Sequence, residues 1–320
     1  MTRPLYISDE EVSQLFTPEV ALASQRAAFQ ALGEGAAILA PRVLVEGAND
    51  SVAFSYAART NQSAGAVTKF GSVNPDNAKN GMPTISASVH VLYAETGLPR
   101  ATLEATELTT IRTAAASALA VQELANADVK SLGIIGAGVQ AKAHAVAISR
   151  VRDFEEIRIT SRTLQRAKDL ASELKDLVDV PVRVVNVESA AAANVVATCT
   201  TSFEPVIETA WVRPGATVVS VGAFAPDRFE LPSSLLGRAD IVVVDHRETS
   251  VEHSGSVRAA LAEDGLDESD LLELGSVVIG KSPSRSAKKD IAVFVSVGVG
   301  IQDASAAEAL LDSIDSRSND

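Results

Sequence analysis

The chain has 320 residues, of which 46% are hydrophobic and 22% are charged, and its formal net charge at pH 7 is −13. This length suits two domains, and the composition is that of an ordinary globular protein. The acidic balance argues against nucleic acid or an anionic membrane as a partner. The single cysteine, Cys199, excludes an internal disulfide framework. Because the sequence shows no signal segment and no apolar run of membrane-spanning length, we expect a soluble cytoplasmic protein.

The first part of the sequence predicts a helix followed by an antiparallel sheet. Thr17 and Pro18 are typical of a helix start, and the apolar spacing after them stops at Gly33, so one amphipathic helix is expected to open the chain. From Arg42 to Leu103, short β-like runs alternate with Asn, Asp, Gly and Pro clusters. A strongly helical stretch, Leu108 to Ala125, follows the predicted sheet.

A strand, a glycine turn and a helix start follow one another between Val129 and Ala145, VKSLGIIGAGVQAKAHA. Gly136, Gly138 and Ala141 have the spacing G-x-G-x-x-A. In dinucleotide-binding units the first glycine allows the tight turn, and the second lets the backbone approach a pyrophosphate at the helix N-terminus. The motif alone is weak, since an ordinary tight turn can have the same sequence. Its place before further strand-helix alternation favours a nucleotide site.

Beyond this turn, apolar runs and helices alternate at the spacing of a parallel doubly wound sheet. The expected strands are Glu156–Thr160, Val182–Val187, Asn194–Thr198, Thr217–Val221, Ile241–Asp245 and Ile291–Val297, and the expected helices are Thr163–Leu177 and Val299–Ile314. The polar tail SRSND is expected to be frayed. This order predicts a nucleotide domain inserted between an N-terminal sheet domain and a C-terminal segment that folds back on it.

Four segments resemble the ornithine cyclodeaminase and μ-crystallin family. They are LTTIRTAAASALA (Leu108 to Ala120), GIIGAGVQAKAH (Gly133 to His144), ELGSVVIGKSPSR (Glu273 to Arg285) and FVSVGVGIQD (Phe294 to Asp303). The resemblance implies an α/β fold, in which a Rossmann doubly wound parallel sheet at 119–298 is joined to an α+β substrate-binding and dimerisation domain. The latter is built from both chain ends, 1–118 and 299–320. The resemblance also implies a homodimer and an active site between the domains.

Within that family, the segments NPDNAKNGMPTISA (Asn74 to Ala87) and VGAFAPDRFEL (Val221 to Leu231) look most like its ketimine reductases. Those enzymes reduce the cyclic imines Δ1-pyrroline-2-carboxylate and Δ1-piperideine-2-carboxylate to proline and pipecolate. The resemblance therefore implies NAD(P)H-dependent reduction of a small cyclic imino acid. Ornithine cyclodeamination, amino-acid dehydrogenation and a μ-crystallin-type role as a cofactor-dependent binding protein stay open.

Arg42, Lys69 and Arg112 are cations on separate predicted elements, outside any charge run. A small carboxylate needs a fixed basic pocket, and the arginine fork can hold both of its oxygens. Lys69 lies in the apolar run GAVTKF, where a lysine must find a partner or lose its charge. Alternatively, the arginines pair with surface carboxylates and Lys69 extends into water. The resemblance implies that all three hold the substrate carboxylate, with Lys69 or water as the proton donor.

The expected cofactor residues lie at the glycine turn and after the next strand. Ser161-Arg162-Thr163 follows the strand about twenty residues after the turn, where NAD enzymes usually have an acid and NADP enzymes a cation. Arg162 therefore favours NADP(H), with NAD(H) possible, unless it only faces solvent before a helix capped by Thr163. Together with the correspondence to the family, the expected contacts are Thr113, Gly136, Ala137, Gly138, Val139, Gln140, Ser161, Arg162, Thr163 and Val221.

No metal site is expected, since none of the four histidines has a metal-ligand partner at the usual spacing. One position departs from the family. Cyclodeaminases carry an aspartate shortly after the glycine of the segment that is here VGAFAPDRFEL, and that place falls on Phe224. Phenylalanine cannot accept a proton. Asp227 stands three residues further on, beyond Pro226, and we do not expect it to substitute. The sequence thus favours imine reduction over cyclodeamination.

Overall fold

The computed structural model describes residues 3–263 and 265–318. It divides into two compact units. Unit 1 comprises Met1–Arg112 and Val299–Asp320, and unit 2 comprises Thr113–Gly298. The division falls inside a helix, six residues before the boundary expected from the sequence.

The strands and helices alternate along the chain, with short 3-10 turns between some of them. The strands are β1 (Leu5–Ile7), β2 (Ile38–Leu39), β3 (Val43–Glu46), β4 (Val52–Arg59), β5 (Val67–Val73), β6 (Ile85–Leu92), β7 (Pro99–Glu104), β8 (Ser131–Ile135), β9 (Glu156–Thr160), β10 (Val182–Val184), β11 (Val195–Thr198), β12 (Thr217–Ser220), β13 (Ile241–Val244), β14 (Leu271–Glu273) and β15 (Ala292–Val295). The α-helices are α1 (Asp9–Leu15), α2 (Pro18–Glu34), α3 (Thr106–Leu124), α4 (Val139–Ser149), α5 (Leu164–Leu174), α6 (Val187–Ala191), α7 (Ser233–Arg238), α8 (Arg247–His253), α9 (Gly255–Ala262), α10 (Leu274–Val278) and α11 (Gly300–Ser318).

Unit 1 is a mixed sheet in the order β1-β7-β6-β5-β4-β2, with β3 also paired to β4. The predicted antiparallel pairs are present, and β1 adds a parallel edge to β7. Tyr56, Lys69, Val89 and Leu103 stand side by side in register across four strands. Because side chains alternate between the two faces of a sheet, this row points to one face. The buried helix α11 packs against β4, β5 and α2.

The start of the chain differs from the expected single helix. β1 and α1 precede α2, and the side chain of Ser8 forms a capping box with Glu11 that begins α1. α2 begins and ends as its sequence predicts. Thr17 is its N-cap, Pro18 is its first residue, and Gly35 ends it with a φ of +72°. The missed elements are short, so hydrophobic periodicity has little length over which to act.

Unit 2 contains a parallel sheet in the order β10-β9-β8-β11-β12-β15-β13-β14. This confirms the predicted fold class. From β8 the chain moves outward through β9 and β10, and it then returns to β11 on the other side of β8. The strand order therefore reverses between β8 and β11. Ligands of doubly wound sheets bind beside such a reversal, at the carboxyl ends of the strands.

Several expected boundaries in unit 2 differ from the structure by one or two residues, and two were wrong by three residues. The strand that begins at Val182 ends at Val184, because the Asn186 side chain accepts a hydrogen bond from the Ser189 N–H (2.8 Å) and begins α6. The helix expected at Thr163–Leu177 is the shorter α5.

At the other end of the chain, α11 continues to Ser318, so the tail expected to be frayed is helical up to that residue. The rest of the tail, 319–320, lies outside the described residues. Among the described residues, no helix has the length and apolar character needed to cross a membrane.

Candidate functional site

A buried ionic cluster in unit 1 joins three elements. Lys69 on β5 and Arg112 on α3 are each 4% exposed, and Asp303 on α11 is 1% exposed. The Lys69 Nζ and the Arg112 Nε both lie 3.2 Å from the Asp303 Oδ1. Two cations therefore share one carboxylate oxygen away from water. Such charges need both opposite charge and hydrogen bonds to be tolerated.

Neutral side chains complete the hydrogen bonding of this cluster. The Tyr56 hydroxyl donates to the Asp303 Oδ2 (3.1 Å). The Lys69 Nζ donates to the Thr109 Oγ1 (2.5 Å), and the Arg112 Nη1 donates to the Gln302 Oε1 (3.0 Å). The ammonium and the guanidinium are therefore held in fixed positions, as a pocket for a small anion requires.

Arg42 is the third predicted cation, and the structure brings it to the same cluster. It is half-buried immediately before β3, and its guanidinium carbon lies 5.6 Å from the centroid of the Tyr56 ring. Its charge contributes to lowering the pKa of Lys69. Lys69, Arg112 and Arg42 therefore place three cationic side chains around the Asp303 carboxylate. The arrangement therefore suits an anionic ligand better than a cationic one.

The environment moves the pKa values of this cluster in defined directions. Burial lowers the pKa of Lys69 to about 8, and Asp303 opposes that shift while Arg112 adds to it. For Asp303, burial acts to raise the pKa, but the charges of Arg112 and Lys69 outweigh it and hold the pKa below its ordinary value. Burial and the Asp303 carboxylate raise the pKa of Tyr56. Lys69 can thus gain and lose a proton near neutral pH.

Asp303 is the member of this cluster that the sequence reasoning missed. The sequence indicates that Lys69 needs a partner, but the partner stands 234 residues away. One local signal existed. Asp303 lies on an apolar part of α11, between Ile301 and Ala304, and an acid in such a place needs a cation or several donors.

The glycine turn of unit 2 has the form that a dinucleotide-binding turn requires. Gly136 has a φ of +128°, and a Cβ atom there would lie 2.4 Å from the Cys199 carbonyl oxygen, so only glycine fits. Gly138 is the N-cap of α4, provides no side-chain cap, and has open space where a Cβ would stand. The first N–H groups of α4 are therefore available to a phosphate, and the residues fit a pyrophosphate.

The other turn residues surround this helix start. Ala137 and Gln140 are half-buried, and Val139 is exposed. The buried His144 holds the first turn of α4 in place. Its Nδ1 donates to the Gln140 carbonyl (2.7 Å), and its Nε2 accepts from the Ser117 hydroxyl (2.9 Å). Burial lowers the pKa of His144 to about 4, so the imidazole is neutral. His144 is therefore a neutral hydrogen-bonding group in the packing of α4.

The segment Ser161 to Thr163 follows β9, next to β8 in the sheet. Arg162 and Thr163 are exposed, and Ser161 is half-buried. Thr163 is the N-cap residue of α5, but its side chain makes no capping hydrogen bond. These residues therefore lie beyond the carboxyl end of the strand adjacent to the glycine turn. Thr113, also expected to contact the cofactor, is half-buried on α3.

Val221 follows β12 and is buried, and its N–H donates to the Glu230 Oε2 (3.1 Å). That N–H is therefore already engaged within unit 2. Glu230 is fully buried and was not singled out from the sequence. The sequence feature that could have identified Glu230 is an acid between two apolar residues, Phe229 and Leu231.

Neither a metal centre nor a reactive thiol is found at these sites. Within the described ranges 3–263 and 265–318, no group of three or more His, Cys, Asp or Glu side chains could hold a metal ion. Burial, followed by the charge of Glu230, raises the pKa of Cys199 well above its ordinary value. The thiol is therefore protonated and a poor nucleophile.

Known proteins resemble this chain over most of its length. The model of the ornithine cyclodeaminase/mu-crystallin family matches residues 5–318. A Δ1-pyrroline-2-carboxylate reductase of Bacillus cereus is 35% identical over 243 residues, which are 75% of this chain and 74% of that protein.

Two solved structures share the whole fold. The Thermococcus litoralis Δ1-pyrroline-2-carboxylate reductase, in complex with NADH and L-proline, has a TM-score of 0.93 and 30% identity and covers 98% of both chains. An archaeal alanine dehydrogenase dimer with bound NAD has a TM-score of 0.93 and 29% identity, over 98% of this chain and 97% of that one. The chain belongs to the ornithine cyclodeaminase/mu-crystallin family.

Proposed function

We propose that this protein is an NAD(P)H-dependent ketimine reductase. It reduces Δ1-pyrroline-2-carboxylate or Δ1-piperideine-2-carboxylate to L-proline or L-pipecolate. The observation that carries this proposal is the buried cluster in which Lys69 and Arg112 share Asp303, with Arg42 beside it. The reductases described above support it, as does the open helix start at Gly138.

The basic cluster binds and orients the substrate carboxylate. Arg112 supplies a planar fork for two oxygens, and Lys69 and Arg42 add positive charge. Because Asp303 and Gln302 fix the cations, the carboxylate finds its partners in place, and little ordering remains to be done on binding. The imine carbon and nitrogen are thereby held in one orientation.

Lys69 donates the proton that the reaction consumes. Reduction of a C=N bond adds hydride to carbon and a proton to nitrogen, and the nicotinamide cofactor supplies the hydride when it is bound. With a pKa of about 8, the Lys69 ammonium is protonated at neutral pH and acidic enough to transfer its proton. The Asp303 carboxylate stays ionised and keeps the amine oriented.

The cofactor side fits a nicotinamide dinucleotide, with NADP(H) preferred and NAD(H) possible. The pyrophosphate would be held by the turn from Gly136 to Gln140, and Arg162 would hold the 2′-phosphate. NADP(H) preference is supported by the exposed cation after β9, the place where NAD enzymes carry an acid.

Two alternatives remain distinguishable by experiment. Amino-acid dehydrogenation is favoured by the likeness to an alanine dehydrogenase. A μ-crystallin-type binding protein would hold cofactor and ligand with only incidental turnover. Five- and six-membered cyclic imines and pyruvate with ammonia, each assayed with NADPH and NADH, separate these functions. A turnover of about 1 per second or more on a cyclic imine favours the proposed activity.

We also propose that the protein is a homodimer. Val43, Ser55 and Phe70 stand side by side in register on the sheet face opposite Lys69, and Val43 and Phe70 are exposed. Exposed apolar groups in a row are typical of association surfaces. The alanine dehydrogenase that shares this fold is a dimer, which supports a second copy of this chain as the partner.

Arg162→Ala should weaken NADPH binding much more than NADH binding. Only NADPH loses a charge-assisted hydrogen bond, worth roughly 1.5–3 kcal/mol or about ten- to a hundred-fold in affinity. Fluorescence titration with each cofactor measures this. Arg213→Ala is the matched control, since Arg213 is exposed before the amino end of β12. If the affinities for NADPH and NADH fall equally, Arg162 does not contact the 2′-phosphate.

Arg112→Lys keeps the charge of the cluster but removes the planar fork. We expect KM for the imine to rise and kcat to fall, because the carboxylate is held less well and the imine carbon is misplaced. Cofactor affinity should stay unchanged. Steady-state kinetics with a cyclic imine test this prediction. If the variant has the wild-type KM and kcat, Arg112 does not bind the substrate and its role is structural.

The pH dependence of kcat/KM for the imine should report Lys69 in the free enzyme. Its protonated form is the donor, so activity should be present below pH 8 and be lost as the pH rises through about 8. Asp303→Asn removes the charge that opposes the lowering of this pKa, so the alkaline limb should move to lower pH by roughly one unit or more. Asp312→Asn, on the exposed side of α11, is the control. An unmoved limb in Asp303→Asn would exclude Lys69 as the group observed.

We expect no release of ammonia from L-ornithine with catalytic NAD. Phe224 stands where cyclodeaminases have an aspartate, and Asp227 is largely exposed beside Arg228. Reduction of a preformed imine needs no base to take protons from an amine. Ammonia production at a rate matching imine reduction would contradict this. Phe224→Asp alone should not install the activity, since the pocket would also have to bind the second amino group.

A further inference from the structure

Glu230 is a fully buried acid that receives hydrogen bonds from the ends of two neighbouring strands. Its Oε1 accepts from the Thr200 N–H (2.6 Å) and hydroxyl (2.8 Å). Its Oε2 accepts from the N–H groups of Val221 (3.1 Å) and Gly222 (2.7 Å). The hydroxyls of Thr198 (2.9 Å) and Ser220 (2.8 Å) donate to the same Oε2. The carboxyl group thus links the carboxyl ends of β11 and β12.

This set of partners suits a carboxylate group, because both of its oxygens can accept hydrogen bonds. Each oxygen faces at least one backbone N–H, which can only donate. A glutamine amide has nearly the same shape, but its NH2 group would point at one of these N–H groups. Glutamine therefore breaks at least one contact that glutamate makes.

The carboxylate has no cation beside it in the part of the chain that the structure describes. Its hydrogen-bond partners are all neutral hydroxyls and amides. Its charge is therefore balanced by dipoles and not by an opposite charge. A cation that came close would be attracted strongly, since buried charges are poorly screened.

The strand order of the parallel sheet shows where Glu230 lies relative to the expected dinucleotide site. The pyrophosphate belongs at the start of α4, after β8. The residues expected to meet the adenosine ribose follow β9, on one side of β8. The other half of the dinucleotide therefore belongs on the opposite side, where β11 and β12 end. Oxidised nicotinamide carries a positive charge, and reduced nicotinamide does not.

We propose that Glu230 is a cofactor-positioning residue: it fixes the ends of β11 and β12 as the seat of the nicotinamide half, and its charge favours the oxidised cofactor over the reduced one. The proposal rests on the nicotinamide cofactor of the proposed function and is independent of the substrate. It concerns binding, so it can be tested without turnover.

The experiment compares cofactors with and without nicotinamide in Glu230→Gln. Dissociation constants for NADPH, NADP⁺ and 2′-phospho-ADP-ribose are measured by fluorescence and calorimetry, after melting curves confirm folding. We expect NADPH to bind about tenfold more weakly. NADP⁺ should lose about three- to tenfold more than NADPH, because it also loses an attraction between charges. Phospho-ADP-ribose should change by less than about twofold, since its contacts lie elsewhere.

Thr200→Val is the matched variant that keeps the charge. It removes one hydroxyl donor to the Oε1 and leaves the Thr200 N–H in place. It should weaken NADPH and NADP⁺ about equally, by about threefold, with phospho-ADP-ribose unchanged. If Glu230→Gln does not fold, this variant decides, and an unchanged affinity for NADPH overturns the proposal.

Three results for Glu230→Gln would overturn it. Equal losses for all three ligands would show a general effect on unit 2. Unchanged affinities would show that the link between the strands does not matter for binding. Equal losses for NADPH and NADP⁺ would show that the charge of Glu230 does not favour the oxidised cofactor, which contradicts the proposal. Failure of wild-type protein to bind any of the ligands would instead refute the cofactor class on which the proposed function stands.

Discussion

The shared oxygen of Asp303 is the contact on which the basic cluster depends. Lys69 and Arg112 come from a strand and a helix, and without the carboxylate between them they would repel each other inside the protein. Arg42 lies beside the same cluster, so three cationic side chains surround the Asp303 carboxylate. The proposed binding of an anionic substrate rests on this arrangement.

Unit 2 satisfies buried carboxylates in a different way. Parallel strands leave N–H groups unpaired where they end, and Glu230 accepts three of them together with the neighbouring hydroxyls. Asp245, which follows β13, accepts hydrogen bonds from backbone N–H groups in the same way. Its Oδ2 accepts from the N–H groups of Val297 (2.9 Å) and Gly298 (2.7 Å), beyond the end of β15. Buried carboxyl groups therefore join neighbouring strand ends at the carboxyl edge of the sheet.

The sequence predicted features whose causes are local. The turn at Gly136 follows from a φ that only glycine adopts easily, and Arg42, Lys69 and Arg112 could be found as cations outside charge runs. Asp303 and Glu230 could not be assigned in this way. Lys69 and Asp303 are 234 residues apart, and the donors to Glu230 come from two separate strands. Their partners are set by sheet order, which a single sequence does not contain. What the sequence does show is that Glu230 stands between the apolar residues Phe229 and Leu231, and such a position indicates burial without naming the partner.

The surroundings of Phe224 connect these points to the chemistry. Two carboxylates stand near it in sequence, and neither can serve as the missing base. Asp227 is 68% exposed and lies 4.0 Å from the Arg228 guanidinium, so it belongs to the solvent side. Glu230 is fully buried, and both of its oxygens already accept hydrogen bonds from backbone N–H groups. The segment from Gly222 to Leu231 thus retains an acid that holds structure but none placed to take a proton from an amine. The proposed imine reduction needs a proton donor instead, and Lys69, whose pKa is lowered to about 8, is the proposed donor.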